Sequence, residues 1–456
     1  MTNSINNNSD GQLTEISDSQ KSIDVQENQI AEAITRFLHR ARDIKWSCKV
    51  FAPAAGLMMK DRYNKAIEEI ESGKLLLASD DAVEKVHGMK KMQIAIRKLD
   101  RLGYSRIPEV IETSLFLNLF SAFDAYTGEL LTAIYARKPE LFGRLNRKVE
   151  LVDVLTARSI EDLKRSVLEE EIEAFRRKSY VEQFAELEST FGLTLRKFEK
   201  WAEFVECTQR RNLLTHCGGV VSEQYQKICK VEGYPEEKIS ALGTKLELGP
   251  KYFLPTCELM IEVGLKLGQT LWRKILPSEI ESADSHLQKT QYEALFSHNW
   301  DRAKIFGEFA VKQTKQSSEV DRRIAIVNYC IALKFSNEEL SAKNELAKVD
   351  WSASTNDFKL AEAVLQDRFV DAATLMHKIG KKGELVVENS YHSWPLFHVF
   401  RERPEFLTAY EEVYGHPFVS ELKRAADVAL TDASVKENEI EARLLNNQST
   451  EPNNSQ

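Results

Sequence analysis

Apolar residues recur three and four positions apart through most of this chain. From Ile107, the series Val110, Ile111, Leu115, Leu119, Phe123, Leu130 and Ile134 keeps a helical period and predicts one long apolar helix. Residues 29–104 predict two or three amphipathic helices. The first, QIAEAITRFLHRARDIKWSC, is expected to break near Pro53-Ala54-Ala55-Gly56. RYNKAIEEIESGKLL and AVEKVHGMKKMQIAIRKLDRLG follow, the latter basic on one face, which reads first as a solvated helix face. The block 105–278 adds a charged helix, EDLKRSVLEEEIEAFRRKSYVEQFAEL, then FEKWAEFVECTQRRNLLTHCGGVV and YFLPTCELMIEVGLKLGQTLWRKIL. Four such helices suffice for one bundle, with a boundary at Pro277-Ser278. With only 19 Gly and 11 Pro, turns are too few for an all-β chain. The expected fold class is all-α.

Residues 279–430 carry a weak internal period. Trp300, Phe335 and Phe369 stand 35 and 34 residues apart, the interval of a tetratricopeptide-type helix pair. Ala303 and Ala372 lie three residues after Trp300 and Phe369, and Asn337-Glu338 break the match in the middle copy. A TPR-like array is expected, with a degenerate fourth unit at SWPLFHVFRERPEFLTAYEEVYG and a groove for a protein partner. The competing reading is an ordinary bundle with coincidental spacing. Residues 1–28 hold five acids, one Lys and no periodic apolar face; they and the tail at 431–456 read as disordered, flexible ends.

At 456 residues the chain can bury a sizeable core without staples. A net charge of -8 excludes a uniformly basic coat but not a local basic site. No apolar run reaches a membrane span, and MTNSINNNSD lacks the features of a signal peptide, so a cytoplasmic location with no membrane partner is expected. The six cysteines form no CxxC pair and read as small buried hydrophobes, Cys217 included despite its neighbour His216. Phosphate-loop, HExxH and GxSxG motifs are missing. Glu169, Glu170, Glu171 and Glu173, followed by Arg176, Arg177 and Lys178, read as an exposed, internally paired face rather than a metal site. His392 and His398 near Trp394 read as core or groove-lining. No metal and no cofactor are expected.

The segment Arg210-Arg211-Asn212-Leu213-Leu214-Thr215-His216 carries the most chemistry. Guanidinium is permanently cationic and matches phosphate oxygens; imidazole moves protons near neutral pH. Together they suit metal-free RNA cleavage, with His216 as general base for a ribose 2′-hydroxyl and Arg211 on the non-bridging oxygens. With 26 Arg and nine His in the chain, chance gives about 1.5 Arg-to-His pairs at this spacing, and about 0.2 with a polar residue after the Arg. A purely structural reading also fits: a histidine at a helix end, closed by Gly218-Gly219. On an ideal helix Arg211 and His216 stand about 140° apart. A two-fold dimer with these helices facing would line one cleft with both pairs.

RRNLLTHCGGVVSEQY, the apolar helix SLFLNLFSAFDAY before it and the helical order between them resemble a HEPN domain over roughly 105–278. The resemblance implies Arg211 and His216 as catalytic residues, supported by Asn212, by the doubled Arg210, and by Asp124 as an acid on an earlier helix. It implies a homodimeric endoribonuclease of toxin–antitoxin or antiviral defence systems, with RNA as substrate; the TPR-like C-terminal helices are the expected place for an antitoxin or other protein partner. The alternative is a non-catalytic helical scaffold that binds a peptide or a nucleotide.

Overall fold

The structure, a computed structural model, describes residues 28–145 and 148–419. Of the ends expected to be disordered, 1–28 and 431–456, residues 1–27 and 431–456 lie outside the described residues, while Asn28 is placed as the cap of the first helix. Seventeen α-helices are present among the described residues, and the only β pairing there is two isolated bridges, Val220 with Lys245 and Lys382 with Val387. The all-α expectation holds. The chain divides into two compact units between His286 and Leu287.

The first unit contains α1 (Gln29–Leu77), α2 (Ala82–Gly103), α3 (Ile107–Arg137), α4 (Leu151–Thr156), α5 (Ile160–Arg176), α6 (Tyr180–Phe191), α7 (Trp201–His216), α8 (Glu223–Val231) and α9 (Gly249–Ile275). Helix α3 starts with Pro108 in its first turn, where the missing N–H costs nothing. It is apolar around most of its girth and fills the centre. Phe116, Leu119, Phe120, Phe123, Leu130 and Ile134 are buried against α1 and α9. Each large apolar side chain so buried contributes about 1.5–3 kcal/mol. Tyr126 places its ring against Phe37 of α1 and donates its hydroxyl to the Gly264 carbonyl of α9 at 2.7 Å. Three helices are thereby tied at one point.

Two expectations need correction here. Helix α1 does not break near Pro53-Ala54-Ala55-Gly56; it runs 49 residues through Pro53. Proline removes the bond to the Lys49 carbonyl, but Lys49 and Pro53 are both exposed, so water can take that acceptor. Residues 29–104 are also not a segment apart. Ile30, Ile34, Phe37, Leu38, Ala41 and Ile44 of α1 belong to the central core. Only the distal half of α1 leaves it, paired with α2 as a hairpin arm whose buried seam is Ala66, Gly73, Gly88 and Ala95.

The second unit takes up the chain within α10 (Ile280–Phe296) and continues with α11 (Trp300–Val311), α12 (Glu319–Phe335), α13 (Glu339–Leu346), α14 (Asn356–Leu365), α15 (Phe369–Ile379), α16 (Glu388–Ser393) and α17 (Pro404–Tyr414). Helices α10–α11, α12–α13 and α14–α15 are joined by the same short turn. Its left-handed residues are His298, Asn337 and Asp367, and its closing bonds are Asn299 N–H to Ala294, Glu338 N–H to Leu333 and Arg368 N–H to Ala363, all 2.9 Å. The matching helix starts are Trp300, Glu339 and Phe369, and Ala303, Ala342 and Ala372 are each buried one turn later.

Phe335 is therefore not the counterpart of Trp300. It ends α12 and stacks on Trp300 at 4.8 Å. The near-equal intervals of 35 and 34 compare a helix start with a helix end; the three turns themselves are unevenly spaced. The segment expected as a fourth unit forms α17 after α16 and two single-turn 3-10 helices, not a further hairpin of this kind. His392 meets the Tyr410 hydroxyl at 3.1 Å, and His398 is exposed with its ring edge toward Phe335.

Candidate functional site

Helix α7 carries the Arg–Asn–His segment and ends at His216. The chain then reverses at once. Gly218 and Gly219 have φ of 58° and 82°, a region that strains any residue with a Cβ. The N–H groups of Cys217 and Gly219 both close on the Leu213 carbonyl, at 2.7 and 3.0 Å. Leu213, Val221, Tyr225, Cys229 and Leu246 pack into a small core beneath this turn. His216 is thus a helix-end histidine closed by glycines, as the structural reading expected, and its side chain is exposed.

A cleft of about 410 Å³ opens beside it. Its lining includes Asp124 from α3, Arg176 from α5, Tyr180 from α6, and Arg211, Asn212 and His216 from α7. Arg211, His216, Asn212 and Asp124 are brought together, and the 140° offset does not part Arg211 from His216 because the cleft reaches the end of the helix. Arg211 donates to the Asn212 carbonyl oxygen Oδ1 at 3.1 Å.

Asp124 accepts a hydrogen bond from the Tyr180 hydroxyl at 2.7 Å. Burial raises its carboxyl above the ordinary aspartate range, while the Tyr180 bond and the charges of Arg211 and Arg176 pull the other way. The Tyr180 phenol is pushed well up, by burial first and by the Asp124 carboxylate next. It serves here as a donor.

Arg210, expected beside Arg211, is not in this cleft. Its side chain is folded under α7, bonded to buried Glu206 at 2.9–3.0 Å and to the Glu247 carbonyl at 3.1 Å. Its guanidinium lies 3.6 Å from the centre of the Tyr252 ring. Tyr225 and Tyr252 also donate to Glu206, at 2.7 and 2.6 Å. Burial first, then the Glu206 charge, raises both phenols, so each stays a donor. Glu206 is the centre of a closed network that sets the rotation of α7. Its position four residues before Arg210 was the one sequence signal for it; nothing in the sequence pointed to the two tyrosines.

Arg176, Arg177 and Lys178 are the residues that sequence reasoning left out of the site. Part of that reading stands: Arg177 pairs with Glu173 and Lys178 with Glu186. Yet all three line the cleft. Arg176 bonds the Asp124 and Ala125 carbonyls at 2.9 and 3.3 Å. Gly128 makes that approach possible, since a Cβ there would collide with the Arg176 guanidinium. Among the charged residues lining the cleft, Arg176, Arg177, Lys178 and Arg211 oppose the single carboxylate Asp124. With Arg177 and Lys178 each paired to a glutamate, Arg176 and Arg211 against Asp124 leave this cleft of an acidic protein a small cationic excess.

Cys217 corrects another expectation. The other five cysteines are buried, but Cys217 is exposed and lines the cleft. Among the described residues no three His, Cys, Asp or Glu side chains gather as a metal-holding group. No helix among them is long and apolar enough to cross a membrane.

No family model matches this chain, and no curated protein or solved structure matches it. The functional reading of the cleft rests on its own chemistry.

Proposed function

We propose that the cleft beside the end of α7 is an endoribonuclease site that cleaves RNA by attack of a ribose 2′-hydroxyl. One observation carries the reading: Arg211, His216, Asn212 and Asp124 line a single cleft whose other charged residues are all cationic. His216 takes the 2′-hydroxyl proton as general base. The 2′-oxygen bonds to the adjacent phosphorus, and the P–O5′ bond breaks. Arg211 stabilises the charge on the non-bridging oxygens, and the protonated imidazole returns its proton to the leaving 5′-oxygen. The products are a 2′,3′-cyclic phosphate and a 5′-hydroxyl.

Asn212 and Asp124 hold Arg211 in place in this scheme. Arg176, Arg177 and Lys178 carry the flanking phosphates, where each cation adds salt-dependent affinity. The HEPN resemblance belongs to this proposal, as does a role in toxin–antitoxin or antiviral systems. The helical hairpins of the second unit are assigned to a protein partner, with the half-buried Trp300 and Phe369 at the helix starts.

The test is incubation of the purified protein with total RNA in EDTA, followed by sequencing of new ends. Cyclic-phosphate ends that disappear with His216→Ala and with Arg211→Ala are the expected result. Equal cleavage by wild type and both variants would overturn the assignment.

A further inference from the structure

The arm made by the distal half of α1 with α2 is independent of the cleft, and its surface has two unusual properties. It is apolar where it faces water. At its root, Trp46, Phe51 and Tyr104 are 68%, 59% and 88% exposed, with Leu57 and Met58 beside them at 69% and 60%. The Ser105 hydroxyl 4.0 Å from the Met59 sulfur places the α2–α3 turn, and with it Tyr104, against this part of α1. At the tip, Leu75, Val83, Val86 and Met89 are likewise exposed. Aromatic side chains present about 150–250 Å² each, so the three root rings alone leave roughly 300–500 Å² in water. On α1 these side chains form two stripes, Trp46 with Leu57 and Phe51 with Met58, about 120° apart around the helix axis.

The second property is charge polarity. The tip, residues 68–92, holds six acids and four bases, with Lys91 bonded to Ser72. The root, residues 53–66 and 93–106, holds seven bases and two acids. Several of these charges are unspent. Among the described residues, Lys60, Arg62, Arg97 and Arg101 at the root and Glu68 and Glu84 at the tip take no ion-pair partner, whereas Lys98 is used on Glu69 and Lys74 on Glu71.

We propose that this arm is the surface on which a second copy of the chain docks, antiparallel, with the acidic tip of each arm on the basic root of the other. The 25 residues from Pro53 to Leu77 span about 37 Å of helix, so tip and root are separate patches that one partner arm can cover together. A two-fold axis between the arms repeats each favourable pairing. A parallel pairing would set like charges against each other. An anionic membrane or a nucleic acid would attract the root but repel the tip, leaving half of the apolar surface unused. This differs from a two-fold dimer with the α7 helices facing, and it stands or falls without reference to RNA cleavage.

Sedimentation velocity on the full chain from 1 to 100 µM tests it. A concentration-dependent dimer that weakens with salt is expected. The pair Glu68→Lys with Glu84→Lys, and separately Arg97→Glu with Arg101→Glu, should each weaken dimerisation by roughly ten- to thirtyfold, since symmetry counts every altered pair twice. All four changes in one chain should restore it. The sites are exposed, so circular dichroism melts should match wild type. A wild type that stays monomeric at 100 µM overturns the proposal. So does a dimer indifferent to both charge reversals, or a monomer that instead binds anionic phosphatidylserine vesicles.

Discussion

The two faces of α7 make opposite use of adjacent arginines. Arg210 and Arg211 are neighbours in sequence and about 100° apart around the helix. One is closed into a network with Glu206, Tyr225 and Tyr252; the other opens on a cleft with His216. The first guanidinium has its valences filled by the protein, so it can hold α7 in place but has little left for a ligand. The second donates to its neighbour Asn212 and lines the cleft with its charge. Identical chemistry thus becomes structural or functional according to what lies opposite.

Substitutions on each face of α7 separate the two roles. On the open face, His216→Ala should lower RNA cleavage about 100- to 10,000-fold. It should leave the unfolding midpoint unchanged, because the side chain is exposed; a fall in stability with unchanged cleavage would reverse the roles. On the closed face, Glu206→Ala strands Arg210 in a buried site and should cost about 3–5 kcal/mol in urea unfolding. A cost under about 1 kcal/mol would mean the network is not what orients α7.

A smaller effect is expected at the turn that ends the helix. Gly219→Ala puts a Cβ at φ 82° and 3.3 Å from the Leu246 carbonyl, which should destabilise by about 1–2 kcal/mol. Chemical denaturation reads this directly, and a neutral result would show that the turn relaxes freely.

The smallest effect is a slope rather than an offset. The Asp124 carboxyl is raised on folding. Its contribution to stability is therefore present in full below the unfolded pKa of about 3.9 and is lost as pH rises through the folded value. Asp124→Asn should remove that loss and flatten stability against pH just above the ordinary aspartate range. An unchanged slope would mean the raised carboxyl does not contribute.

Some of the site was legible in the chain and some was not, for definite reasons. Arg211, Asn212 and His216 lie within one and a half turns, so spacing alone placed them near one helix end. Asp124 came only through resemblance, and it does line the cleft. Arg177 and Lys178 read as a solvated charged face because their pairing with Glu173 and Glu186 is local. Arg176 instead reaches α3 past Gly128, and no local pattern reports that contact. The break assigned to Pro53 failed because the bond a proline removes faces solvent there. The near-equal aromatic intervals in the second unit misled because stacking between Trp300 and Phe335 brings together a helix start and a helix end.

Helical class, the burial of α3 and a helix ending at His216 and two glycines follow from short-range physics. Apolar period, turn conformation and charge count act within a few residues, and the chain states them openly. Which arginine meets the cleft, which lysines and arginines surround it, and where the helical hairpins begin were settled only by packing. Rotation of a helix depends on what its far side buries, and for α7 that is a carboxylate satisfied by side chains from three elements, Arg210, Tyr225 and Tyr252.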